Sequence, residues 1–198
     1  MKLLLSSLVV FALCLGAVAQ PPHHPPPAPL SKPAEDAQLY RNPTFALRYR
    51  IPYGWVDRTK EMQDGNDAAK GEVLLAVFER PPQAAGDTVN SAVVIASEKA
   101  SPGLKKPEDY LGTLTETATA QGFKPDGDPS EVEIDSQRLV RADFSKGLND
   151  KLTMHQTTLV LLSKGQIVSF TFIAGSHEEV DQALEGLNFT TKVAPARR

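Results

Sequence analysis

Residues 40–55 read Tyr40-Arg-Asn-Pro-Thr-Phe-Ala-Leu-Arg-Tyr-Arg-Ile-Pro-Tyr-Gly-Trp55. Phe45, Leu47, Tyr49 and Ile51 alternate with Thr44, Ala46, Arg48 and Arg50. That period of two predicts a β-strand with one buried face and one wet, basic face. Pro52-Tyr53-Gly54-Trp55 then stops the strand and turns the chain. Arg48 and Arg50 form a candidate partner-contact patch, suited to an acidic partner, and a solvated sheet face is the plainer reading. Trp55, the only tryptophan, reads as a core anchor at a strand end, with ligand stacking as the alternative.

Downstream, Val73 to Phe78 is a continuous apolar run, the pattern of a central strand covered on both faces. Pro81-Pro82 ends it, and Ala92 to Ala96 is its expected partner. The intervening Met62 to Gly71 is polar, with Asp64-Gly65-Asn66-Asp67 as a turn or loop. Pro107, Glu108 and Asp109 make a favourable first helical turn, and Tyr110, Leu111, Leu114 and Ala118 fall on one helical face. Gly122 stands where a left-handed C-cap belongs, followed by apolar Phe123. A second helix starts at Ser176 with Glu179 three residues on, a capping box, and Val180, Ala183, Leu184 and Leu187 form its expected buried stripe. Between the helices, Val132 and Ile134 alternate with acidic residues, and Gln137 to Phe144 continues as another strand. Leu152 to Leu162 and Ile167 to Ala174 are joined by Ser163-Lys164-Gly165-Gln166, a tight-hairpin sequence. The coarse order is three strands, a helix, a run of consecutive strands and a second helix. Short links between consecutive strands predict an α+β fold, an antiparallel sheet with helices packed on it.

The opening segment, with its Phe-x-hydrophobic strand leading into Pro-x-Gly-Trp, resembles the start of PsbP-like domains. The late hairpin Lys164-Gly-Gln-Ile-Val-Ser-Phe-Thr-Phe-Ile-Ala174, followed by a short Ser-capped helix with an acidic first turn, is similar too. The resemblance spans roughly Gln38 to Val193. It implies an α/β/α sandwich shared by photosystem II extrinsic subunits, a Ran-binding import factor and many exported bacterial proteins of unknown role. Its members are mostly binding or assembly factors without catalysis, and no metal-binding or Ran-binding residue carries over to this chain.

Upstream, residues 1–19 carry one positive residue, Lys2, before an uncharged apolar stretch, and Ala17-Val18-Ala19 precedes Gln20. This is the layout of a secretory signal peptide, with Ala17, Ala19 and Gln20 marking the cleavage site. An uncleaved anchor is the competing reading, although Leu3 to Ala19 falls just short of the roughly 18 apolar residues that cross a bilayer. Lipid on Cys14 is a third, against which Leu13 replaces the small residue that normally precedes a lipidated cysteine. Residues 20–37 form a proline-rich tether, with seven of the chain's 16 prolines before Ala34. Such a run cannot donate to a sheet or helix and favours extended polyproline II. His23 and His24 lie in it, and adjacent histidines without further ligands read as solvated. The folded domain is expected over residues 38–194, with 195–198 as a tail.

The 198 residues hold 21 Lys+Arg against 24 Asp+Glu and a single cysteine, Cys14. The absence of a basic excess argues against nucleic-acid binding. Cleavage after Ala19 removes the only cysteine, and with it any disulfide, thiolate nucleophile or Cys-ligated metal site. Membrane contact is expected only through the N-terminal segment before cleavage.

No cofactor, metal or catalytic residue is assigned. His177-Glu178-Glu179-Val180-Asp181 resembles the start of an H-E-x-x-H zinc motif, but Asp181 stands where the second imidazole is needed one turn on. His155 and His177 are the domain's only histidine bases, and His155 sits inside an alternating strand. Asp126-Gly127-Asp128 and Asp64 to Asp67 lack the spacing of a calcium loop, and turn chemistry explains them. Asn188-Phe189-Thr190 is a glycosylation sequon, relevant only in a eukaryotic source. The expected function is an exported, non-enzymatic binding or assembly module, whose partner is a protein or envelope component. The alternatives are a hydrolase with a carboxylate site and a carrier of an apolar ligand.

Overall fold

The computed structural model describes residues 39–64, 71–81 and 87–190, which all fall in one unit, Ala34–Arg198. The cleavage site Ala17, Ala19 and Gln20, the tether with its histidines, Cys14, residues 65–67 and the tail lie outside the described residues. Two strands open the fold, β1 (Leu39–Asn42) and β2 (Leu47–Arg50), paired antiparallel. The strand at Arg48 and Arg50 is shorter than its periodicity predicts. Ala46 takes φ 54° in the hairpin turn, where Asn42 Oδ1 accepts from the Thr44 and Phe45 amides. Phe45 is buried all the same, delivered inward by the turn.

Next come β3 (Val56–Asp57), α1 (Thr59–Asp64), β4 (Glu72–Phe78) and β5 (Ala92–Lys99). Asp64, expected in a turn or loop, is the last residue of α1, and Asp57 Oδ1 starts that helix by accepting from both the Thr59 amide and hydroxyl. Helix α1 lies against the outer side of β4. The Ala76 amide donates to Thr59 Oγ1 (2.9 Å), and Gln63 Nε2 donates to the Val73 carbonyl (2.7 Å). A 3-10 turn at Pro107–Tyr110 leads into α2 (Leu111–Ala120). This helix ends as the sequence predicts: Gly122 has φ 86°, and the Phe123 amide donates to the Ala118 carbonyl (3.1 Å).

The chain then runs through β6 (Lys124–Pro125), β7 (Ser130–Ile134), β8 (Gln137–Asn149), β9 (Leu152–Ser163) and β10 (Gln166–Ala174). Five strands thus stand between the helices, of which β6 matches none of the segments read from the sequence. Two-residue turns with both φ positive join β7 to β8 (Asp135, Ser136) and β9 to β10 (Lys164, Gly165), as right-twisted hairpins require. Helix α3 (His177–Leu184) and β11 (Leu187–Phe189) close the fold. Leu187, expected on the helix stripe, is buried in β11 instead.

Among the described residues all strand pairings are antiparallel, but they make two sheets rather than one. The large sheet runs β3-β4-β5-β10-β9-β8-β6, with β7 also on β8, and the small one runs β1-β2-β11. One face of the large sheet contributes Leu75, Val77, Ile95, Leu159, Phe170 and Phe172 to a core closed by Leu47, Tyr49 and Phe189 of the small sheet and Val180 of α3. The other face buries Ala142, Phe144, Val160 and Ile167 under Leu114 and Ala118 of α2. The alternation along β10 feeds both: Val168, Phe170 and Phe172 face one way and Ile167 the other. The molecule is therefore an α+β sandwich.

Candidate functional site

A groove of about 930 Å³ lies between the turn after β2, the end of β4, the segment before β5 and α3. One wall follows from Pro52-Tyr53-Gly54-Trp55. Gly54 takes φ 83° and the Trp55 amide donates to the Pro52 carbonyl (3.3 Å), so the two aromatic side chains part. Trp55 packs half-buried against the core, as an anchor, while also lining the groove. Tyr53 is 80% exposed, the most exposed of the large hydrophobic residues described. The opposite wall is pinned by Asn90, whose amide accepts from the Arg80 N–H (2.9 Å) and donates to the Arg80 carbonyl (3.1 Å).

Two of the groove's carboxylates are already committed. Glu79 accepts from the Ser91 amide (3.3 Å), and Glu179 accepts from the Gly175 amide (2.9 Å). Arg50 stands at the rim and continues the groove onto the outer face of the small sheet. There Arg48 is exposed and directly opposite Arg41 of β1, so the predicted pair is part of a three-arginine face. Asn188 of the sequon is exposed opposite Arg48 from the β11 side. A second hollow, about 630 Å³, covers the outer face of α2 around Leu111, Thr115 and Thr119.

A polar cluster occupies the end of the large sheet's inner face, where α3 begins. Arg141 lies between Asp143 (2.9 Å) and Asp181 of α3 (3.0 Å), and Thr157 donates to Asp143. Burial alone would lower the Arg141 pKa, but Asp143 and Asp181 outweigh it and hold the guanidinium above its ordinary value. On the same side of β9, two residues before Thr157, stands His155. Its ring centroid is 4.2 Å from that of His177, the first residue of α3. Asp126 joins them from the turn after β6, positioned by its own amide donating to the Asp143 carbonyl (2.8 Å), and its Oδ2 is 3.3 Å from His177 Nε2. One ligand atom from each of the three lies within 4.8 Å of the others. Burial first, and the neighbouring His177 second, lower the His155 pKa, with Asp126 opposing. His155 Nδ1 is buried without a hydrogen-bond partner.

Sequence reasoning sought a second imidazole for His177 four residues further along the helix and found Asp181. The imidazole comes instead from β9, delivered by strand register. Glu179 plays the capping role expected of it, with one change. Ser176 Oγ accepts from the Glu179 amide (3.2 Å), but the Glu179 carboxylate reaches back to Gly175 rather than to Ser176 itself.

This architecture, an antiparallel sheet covered by helices and a second small sheet, is the PsbP-like fold. The solution structure of cyanobacterial PsbP (CyanoP) from Synechocystis sp. PCC 6803 matches with a TM-score of 0.51 at 15% identity, covering 77% of this chain and 92% of that one. Lower TM-scores are found with a protein of unknown function from Pseudomonas aeruginosa (0.42, 17% identity, 81% and 97% covered) and with LpqN of Mycobacterium tuberculosis, described as involved in cell envelope biogenesis (0.43, 15%, 73% and 83%). No protein-family model matches the chain, and no curated protein matches it in sequence. No helix among the described residues is long and apolar enough to cross a membrane.

Proposed function

We propose that the chain is an exported, non-enzymatic binding or assembly module that holds an acidic protein or envelope component in the groove beside α3. The observation that carries this reading is Tyr53, a large aromatic left exposed on the groove that Arg50 also lines. An exposed aromatic beside a cation is the composition of a contact hot spot. The adjoining Arg48 and Arg41 extend a field that attracts acidic partners. Glu79 and Glu179 serve their own walls rather than converging on a bound molecule, which favours binding over hydrolysis. The signal-peptide layout of residues 1–19 supports export, in keeping with the PsbP-like fold.

Site-specific photocrosslinking tests this. A benzophenone side chain at position 53 of the full chain, exposed to envelope extract, gives a discrete adduct that Arg50→Glu abolishes. The same probe at Glu116 on α2 does not give it. Identical adducts from both positions, or none from position 53, overturn the reading.

A further inference from the structure

The groove leaves the His155 cluster unused. We propose that Asp126, His155 and His177 form a site for one divalent transition-metal ion of the zinc class. The folded domain contains only two histidines, and the fold brings them into ring contact from different elements, with a carboxylate at hydrogen-bond distance from one of them. Two imidazoles and a carboxylate are the ligand types that zinc and its late first-row neighbours select, whereas calcium and magnesium take oxygen alone. Tetrahedral zinc with ligands about 2.1 Å away holds its donor atoms about 3.4 Å apart. The His177–Asp126 pair stands at 3.3 Å, and the other donors need close from no more than 4.8 Å. His177 and Asp126 are exposed, and small side-chain rotations supply that closure.

A second observation points the same way. An ordinary surface ion pair between His177 and Asp126 would account for those two residues but leaves His155 unexplained. Its Nδ1 is buried with no protein partner, an arrangement that native structures avoid. A metal-bound imidazole gives this ring a role. Electrostatics also allow the cation. The start of α3 carries a partial positive charge, but Glu178 and Glu179 occupy its first turn and Asp126 faces it. The guanidinium of Arg141, on the same face of the sheet, is already paired with Asp143 and Asp181. Three protein ligands leave one tetrahedral position open, for water or for a donor group of a bound partner. Occupied, the site ties the β6–β7 turn, β9 and α3 together.

The test uses the full chain titrated with Zn²⁺ by calorimetry and with Co²⁺ by visible absorption. Because His23 and His24 also offer imidazoles, a His23→Ala/His24→Ala chain is titrated alongside. One ion per chain is expected, with tetrahedral cobalt bands and a raised Tm on loading. His177→Ala and Asp126→Asn, both at exposed positions, weaken binding by about tenfold or more while keeping the metal-free Tm, and the His23→Ala/His24→Ala chain binds as before. The proposal is overturned by no stoichiometric binding. It is equally overturned by binding that survives His177→Ala and Asp126→Asn, or by binding lost with His23 and His24.

Discussion

Gly186, at the turn from α3 into β11, is pressed against β2. A Cβ built there would lie 2.8 Å from the Arg50 carbonyl oxygen and 2.9 Å from the Tyr49 ring, so nothing larger than hydrogen fits without moving backbone. The same glycine accepts from the Arg50 amide (2.9 Å), while the Tyr49 hydroxyl, buried and with its pKa raised by that burial, donates to the Ala183 carbonyl (3.0 Å). Gly186→Ala is therefore expected to cost about 1–3 kcal/mol, the range for overpacking a tight site, and urea denaturation measures it. An unchanged midpoint would show that β2 yields more easily than its hydrogen bonds suggest. The sequence hid this contact for a definable reason. Leu184 and Leu187 are spaced like successive helical turns, so Glu185-Gly186 reads as helix, and only the packing of β2 ends α3 there. Tyr49 itself was legible, because alternation alone places it on the buried face.

Helix α3 is eight residues long, too short to persist without its cap and its docking on the sheet. Ser176→Ala removes the acceptor for the Glu179 amide and is expected to cost about 1 kcal/mol. Glu179→Gln keeps an oxygen for the Gly175 amide and should cost less. Thermal unfolding of the two variants gives the order, and a larger loss in Glu179→Gln would refute this account of the cap. At this scale the hairpins were legible and the juxtaposition of histidines was only latent. The two-residue turn at Lys164-Gly165 fixes the β9–β10 register, which sets His155 opposite Ala174, three residues before His177. Counting back from the turn would have found it; searching for helical spacing could not. Strands β3 and β6, two residues each, carry no periodicity and had no signal to read.

Strands β8, β9 and β10 supply both cores, so the molecule is expected to unfold as one unit. Phe172→Ala, in the larger core, should cost about 3–5 kcal/mol, and Leu114→Ala, from α2 over the smaller one, about 2–3 kcal/mol. In the Leu114→Ala chain, Trp55 fluorescence and far-ultraviolet circular dichroism should still report one coincident transition. Helix signal lost ahead of fluorescence would mean that α2 peels away alone. The α+β class was legible because alternating runs and short links are local signals. The split into two sheets was not, since pairing of β2 with β11 joins residues far apart in sequence.

One detail of α1 reaches beyond the fold. An open sheet border is a template onto which another extended chain can zip, and from there aggregates grow. Where β3 stops short, Thr59 and Gln63 occupy the amide and carbonyl that β4 would otherwise offer outward. That margin is plugged by side chains. A second copy of the chain therefore finds no free ladder groups at that border, which protects the fold against edge-to-edge polymerisation.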